Sequence, residues 1–165
     1  MEREIILRHR IKLLTWFFII GLVVSGATAI SLVTELGWLA QIFGVDSTTW
    51  IPWDLGFRRW IWEVWMALRE TKDQYPFLFY GTDWLAFGHF VIAVVFIGAL
   101  RDPVRNRWLF DFGLIACLLV IPFALVFGGL RGIPFWWRLI DCSFGVFGFI
   151  PLWLCRKWAI ELERG

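Results

Sequence analysis

Four apolar segments, each close to the length that a helix needs to cross a bilayer, dominate this sequence. They are residues 11–33, 83–100, 108–128 and 135–155. A helix needs about 20 apolar residues to cross about 30 Å of hydrocarbon, and in lipid it satisfies its own backbone hydrogen bonds. With 59% hydrophobic residues, the chain has more apolar side chains than a soluble domain of this length buries. The sequence therefore predicts an all-α protein, a four-transmembrane-helix bundle that forms a single integral membrane domain over residues 1–165.

Basic residues at the ends of these segments predict how the chain crosses the membrane. They precede the first segment, lie between the second and third, and follow the fourth: Arg3, Arg8, Arg10, Lys12, Arg101, Arg105, Arg107, Arg156 and Lys157. Because cytoplasmic loops are rich in Lys and Arg, we expect both termini in the cytoplasm. A bacterial inner membrane fits this pattern, and an endoplasmic reticulum membrane would give the same one. The first segment should be an uncleaved helix, since its apolar residues continue past Ala29 to Val33.

The connection between the first two segments is rich in tryptophan. These residues are Trp38, Trp50, Trp53, Trp60, Trp62 and Trp65. Tryptophan concentrates at the boundary between membrane and water. From Phe57 to Leu68, apolar residues also recur at the spacing of one helical face. We therefore predict an amphipathic outer-surface helix at about residues 55–72, with Asp54 as its N-cap, lying in the membrane plane. A compatible alternative is that this helix packs on the bundle as a lid.

Five ionisable residues in or beside the apolar segments form the candidate site. A charge in hydrocarbon is costly, so each of them needs a partner, water or a function. At 1.5 Å per residue, His89 and Asp141 each lie about 9 Å below the outer ends of their helices. We expect Glu35, Asp83 and Arg138 near that level, where they would bind a ligand in an outer-leaflet pocket. His89 and Asp141 would be its catalytic residues.

The same residues allow a purely structural interpretation. Arg138 and Asp141 could form an internal salt bridge, while His89 is hydrogen-bonded to a backbone carbonyl or to Asp83. No metal site is predicted, because the cysteines Cys117, Cys142 and Cys155 lack metal-ligand spacing and no third soft ligand lies near His89. The net charge of +2 is too small and too scattered to indicate nucleic-acid binding. No cofactor is indicated.

Two functional hypotheses follow from these patterns. In the first, the protein binds a lipophilic small molecule through a polar pocket of the outer leaflet and, if it is an enzyme, chemically modifies it. In the second, it is an accessory or assembly subunit that packs against other membrane subunits or against copies of itself. Small residues predict where helices approach closely: Gly21, Ser25 and Ala29 form a stripe on the first helix, and Gly145 and Gly148 form a patch on the fourth. Under both hypotheses the protein is embedded in the lipid bilayer, which is its first partner. No motif in the sequence identifies a reaction.

The layout of the chain resembles that of the EXPERA membrane family. The resemblance comes from Glu35, which is expected to end the first helix, an amphipathic segment that ends in Thr71-Lys72-Asp73, and three further helices. That family includes sterol isomerases and ligand-binding receptors. The resemblance implies that Glu35, Asp73 and either Asp83 or His89 contact a cationic or sterol-like ligand.

Overall fold

A computed structural model describes residues 2–43 and 56–164 of the chain. Within these residues the structure is helical and has no strands. The elements are α1 (Glu2–Ile42), α2 (Phe57–Gln74), a 3₁₀ turn (Pro76–Phe79), α3 (Tyr80–Arg101), α4 (Arg107–Leu130) and α5 (Phe135–Arg164). Four helical segments, formed by α1, the 3₁₀ turn with α3, α4 and α5, are long and apolar enough to cross a membrane. The predicted all-α class with four apolar spans is therefore confirmed, and the protein is compatible with an integral membrane protein.

The long helices extend beyond the apolar segments from which they were predicted. α1 begins at Glu2 and ends at Ile42, and α5 continues to Arg164. Apolar length measures only the part of a helix that hydrocarbon would cover, whereas Arg, Glu and Lys are strong helix formers beyond it. Glu35 therefore lies inside α1, and the expectation that it ends the first helix is wrong. The predicted N-cap Asp54, like Trp50 and Trp53, lies outside the described residues.

The chain divides into two compact units. Unit 1 comprises Met1–Leu22 and Val91–Gly165, and unit 2 comprises Val23–Phe90. The core of unit 1 combines large and small buried side chains from α1, α3, α4 and α5: Ile11, Ile19, Ala93, Phe96, Ala99, Leu109, Phe110, Cys117, Leu152, Cys155 and Ala159. The small members allow the helices to approach one another. Cys117 and Cys155 thus act as small buried side chains.

Glycine allows α4 and α5 to pack closely in unit 1. A Cβ atom on Gly145 would lie 2.5 Å from the carbonyl oxygen of Cys117, and one on Gly148 would lie 2.9 Å from the Cys117 Sγ. Membrane helices associate through such close contacts, because lipid tails are as apolar as their side chains. The small-residue patch predicted on the fourth helix is therefore a packing surface. Gly21, predicted to begin a similar stripe on α1, is exposed and has nothing within 4 Å in the described part of the chain.

The turn between α4 and α5 is closed by a Schellman motif. The N–H of Gly132 donates to the carbonyl of Gly129 at 3.2 Å, and the N–H of Ile133 donates to the carbonyl of Gly128 at 2.9 Å. This arrangement requires a left-handed residue after the helix end, and Gly132 has φ +70°. Pro134 then prevents α4 from continuing.

Unit 2 contains the second half of α1, together with α2 and the start of α3. The indole Nε1 of Trp65 would lie 3.1 Å from a Cβ atom on Gly37, so α2 packs against α1 at this point. Ile61, on the same side of α2 and one turn away, is 1% exposed. Arg59 and Glu63 form an exposed ion pair, one turn apart along α2. The apolar side of α2 is thus at least partly covered within unit 2.

We predict that Gly132→Ala destabilises the protein by about 1 kcal/mol. Alanine in the left-handed region costs about 1–2 kcal/mol. Part of this cost is offset, because alanine also lowers the conformational entropy of the unfolded chain. Thermal unfolding in detergent measures the effect. Gly81→Ala is the matched control, because Gly81 is helical and has nothing within 4 Å. Equal melting temperatures for Gly132→Ala and the unmodified protein would contradict the prediction.

Candidate functional site

The five predicted site residues fall into two groups. Glu35, Asp83 and His89 belong to unit 2, whereas Arg138 and Asp141 belong to unit 1. Each group has its own surroundings. Within residues 2–43 and 56–164, no three His, Cys, Asp or Glu side chains are placed to hold a metal ion.

His89 lies where α3 meets α1 in unit 2. A Cβ atom on Gly26 would be 3.1 Å from the His89 Cβ, 3.1 Å from the Ala86 carbonyl oxygen and 2.7 Å from the Phe90 ring. The His89 Nδ1 is 2.8 Å from the carbonyl oxygen of Leu85. Because a carbonyl oxygen can only accept, this bond places a hydrogen on Nδ1. The neutral ring then offers Nε2 as a hydrogen-bond acceptor or proton acceptor.

The two acidic residues of unit 2 differ in their surroundings. Glu35 is half-buried and hydrogen-bonded to the hydroxyl of Ser31, one turn earlier on α1. Asp83 is exposed in the first turn of α3, where the helix dipole favours a negative charge. Gly26 is the residue of α1 that lies beside His89, and Glu35 follows it by nine residues. Glu35 therefore lies about 14 Å along the helix from the level of His89. A ligand that contacts both Glu35 and His89 must extend over that distance.

Arg138 lies across the end of α4 in unit 1. Its Nη1 donates to the carbonyl oxygen of Leu125 at 3.2 Å. Its Cγ and Cδ atoms occupy the space beside Gly128, each 2.6 Å from where a Cβ atom would lie. The guanidinium carbon is 5.3 Å from the centre of the Phe135 ring. A cation at the C-terminal end of a helix is stabilised by the carbonyl groups and by the helix dipole, so Arg138 links α5 to the end of α4.

Asp141 lies on the same face of α5, one turn further on. In the described part of the chain it has no ion pair or hydrogen bond. Its carboxylate is half-buried, while the neighbouring Leu139, Ile140 and Phe144 are large, exposed apolar side chains. The structure therefore shows no Arg138–Asp141 salt bridge. The other part of the structural interpretation is present, since His89 is bonded to a backbone carbonyl.

Each group offers a different chemistry. In unit 2, His89 can accept a proton at Nε2 while Leu85 holds the ring orientation. In unit 1, an unpaired carboxylate in an apolar span can bind a cation or a hydrogen-bond donor. Arg138 retains a buried Nε that lacks an acceptor among the described residues. These features suit the binding of a polar group more than they suit a closed structural network.

Sequence analysis missed the two glycines that position these side chains. Gly26 lies outside the Gly21, Ser25, Ala29 series, yet it is the glycine against which His89 packs. Gly128 provides the space that Arg138 occupies. The Gly-Gly pair at the end of α4 was a usable signal, because two glycines in a helical turn leave room for a long side chain from the next helix.

The chain matches no protein-family model, no curated protein and no solved structure. The resemblance to the EXPERA family therefore remains one of helix order and acidic residues. A function must be argued from the residues of this chain.

We predict that Arg138→Ala lowers the free energy of unfolding by about 1–2 kcal/mol. The variant loses a charged hydrogen bond to Leu125 and leaves a gap beside Gly128. Chemical or thermal unfolding in detergent measures the loss. Arg131→Ala removes the same charge from the exposed turn and should have little effect. If both variants are equally destabilised, loss of charge and not loss of this contact is responsible.

Proposed function

We propose that this chain is a multi-pass membrane protein that binds a lipophilic small molecule with a polar head in the outer leaflet. His89 and Asp141 hold the polar head, and they also carry the chemistry if the bound molecule is modified. Glu35, Asp83 and Arg138 contribute further polar contacts. The sequence predicts that these residues lie near one level of the membrane. Within unit 2, however, Glu35 lies about 14 Å along α1 from the level of His89, so a ligand that contacts both must extend over that distance.

The carboxylate of Asp141, which has no partner among residues 2–43 and 56–164, carries the proposal. A charged side chain within a transmembrane helix is costly, by up to about 2.5–3.5 kcal/mol at the helix centre on insertion scales, and leucine at this position would avoid that cost. Arg138, one turn away, is engaged with the Leu125 carbonyl instead. Packing of the described residues therefore gives no reason for a carboxylate at this position, whereas binding a polar head does.

The unpaired acceptor of His89 supports the same function. The bond from Nδ1 to Leu85 fixes the ring, so that Nε2 is presented in one direction. A hydroxyl or ammonium head could donate a hydrogen bond to Nε2 of His89, and the carboxylate of Asp141 accepts from the same kinds of head. Sterol-like and other amphiphilic molecules combine such a polar head with an apolar body. The EXPERA resemblance implies the same class of ligand.

The remaining parts of the proposal concern placement in the membrane. We propose that α2 is an amphipathic helix at the outer surface and that it controls entry of the ligand from lipid. Its apolar residues Ile61 and Trp65 are covered within unit 2, while Arg69 on its exposed side lies 5.8 Å from the Trp65 ring. Both termini would lie in the cytoplasm, because basic residues flank those helix ends, and a bacterial inner membrane fits that orientation.

The test is to identify molecules that remain bound to the purified protein. The unmodified protein and the variants His89→Ala and Asp141→Asn are purified in mild detergent, extracted with organic solvent and analysed by mass spectrometry. We expect one lipophilic species to be enriched with the unmodified protein and reduced at least tenfold with each variant. Glu70→Gln, which changes an exposed carboxylate on α2, is the matched control.

Melting temperatures decide whether a loss of bound ligand is specific. The proposal requires that both variants remain folded and that adding back the extracted species stabilises the unmodified protein more than either variant. It is rejected if no species is enriched, or if the variants retain the species that the unmodified protein binds.

A second candidate function is that of an accessory subunit of a larger membrane complex. The observation that favours it is Gly21, an exposed glycine on an apolar helix with open space around it in the described part of the chain. Such a position allows a helix of another subunit to approach closely. We expect Gly21→Leu to dissociate a complex if one exists. Gentle solubilisation followed by native electrophoresis shows whether the chain migrates alone or with partners.

A further inference from the structure

A second polar surface lies at the C-terminal end of α5, on residues that play no part in the site proposed above. Trp153, Lys157, Ile160 and Arg164 follow one another at the spacing of a single helical face. With Arg156 and Glu161 they line an open pocket of about 370 Å³. Pockets that bind small ligands begin at about 300 Å³, so this one is large enough for a lipid headgroup.

Most charges around this pocket are already neutralised by partners in unit 1. Arg156 is paired with Asp111 of α4, and Glu161 is paired with Arg3 of α1. The neighbouring Glu163 is likewise paired, with Arg107 of α4. These pairs join the ends of three helices, and their charges cancel.

Two cations of the pocket remain without an acidic partner. Lys157 and Arg164 are both exposed, and neither forms an ion pair in the described part of unit 1. Because the paired charges cancel, the pocket has an excess of two positive charges. It therefore complements an anion and not a neutral or cationic molecule.

The depth of the pocket along α5 indicates which anion it meets. The apolar part of α5 ends near Cys155, so Trp153 lies at the level where tryptophan marks the edge of the hydrocarbon. The Lys157 Nζ is 5.6 Å from the centre of the Trp153 ring, which holds the ammonium at that edge. An anion at this depth with an apolar tail beside Trp153 is a phospholipid.

We propose that this pocket binds the headgroup of an anionic phospholipid, with its phosphate between Lys157 and Arg164 and an acyl chain against Trp153. The ion pairs of Arg156 and Glu161 hold the end of α5 in place for this contact. The lipid is a component of the surrounding membrane and is distinct from the ligand of His89 and Asp141.

The test compares lipids of different charge bound to the purified full-length protein. Dioleoylphosphatidylglycerol or dioleoylphosphatidylcholine is titrated into the protein in detergent, and binding is followed by native mass spectrometry and by melting temperature. We expect tighter binding of phosphatidylglycerol, weakened by salt. Replacing both cations, as Lys157→Gln with Arg164→Gln, should weaken it by about 30-fold, or about 5-fold for each charge.

Matched variants distinguish an effect of this pocket on lipid binding from an effect of the protein's net charge. Arg131→Gln with Lys72→Gln removes the same charge from exposed positions elsewhere and should leave phosphatidylglycerol binding unchanged. Lys157→Arg should retain it. Equal binding of the two lipids, or equal weakening by the control pair, overturns the proposal. Stabilisation by inorganic phosphate as strong as that by phosphatidylglycerol also overturns it, because the pocket would then bind a soluble anion.

Discussion

Close approach of helix backbones at glycine is the interaction on which the α4–α5 pair depends. Between helices in lipid, burial of apolar side chains gives little free energy, because the lipid tails that they leave are equally apolar. What remains is van der Waals contact and hydrogen bonding at short range. Gly145 against the Cys117 carbonyl provides the first, and Arg138 on the Leu125 carbonyl provides the second. The left-handed Gly132 then keeps the turn short enough for both contacts to form together.

The charged residues of unit 1 have two different relations to this packing. Around the C-terminal end of α5 most of them are paired, as in Arg3 with Glu161, but such exposed pairs contribute only about 0–1 kcal/mol each. An unpaired carboxylate in an apolar span costs more than any one of these pairs returns. Asp141 therefore weakens the isolated fold, whereas Arg138 strengthens it. Packing among the described residues thus explains the presence of Arg138 but not that of Asp141.

The sequence was sufficient to predict the helices but not their partners. Long apolar runs identified all four spans, because only a helix satisfies its backbone in lipid. Their ends were underestimated, since charged helix formers continue α1 and α5 past the hydrocarbon. The i, i+3 spacing made Asp141 the natural partner of Arg138, yet the Leu125 carbonyl competes successfully because the α4–α5 contact brings it near. Spacing along one helix does not show which residue of another helix a side chain contacts. For the same reason, the sequence pointed to Gly21 as a packing residue and missed Gly26.

The length of α5 relates the depth of Asp141 in the membrane to the depth of Lys157. Asp141 and Lys157 are separated by 16 residues, which is about 24 Å along the helix. If Lys157 lies at one edge of about 30 Å of hydrocarbon and the helix crosses without tilt, Asp141 lies about 6 Å inside the opposite edge, and it lies deeper where the helix is tilted. A carboxylate at that depth is within reach of the polar head of a molecule whose tail lies in the same leaflet. An anionic lipid that fixes Lys157 at its headgroup would therefore also set the depth of Asp141 in the membrane.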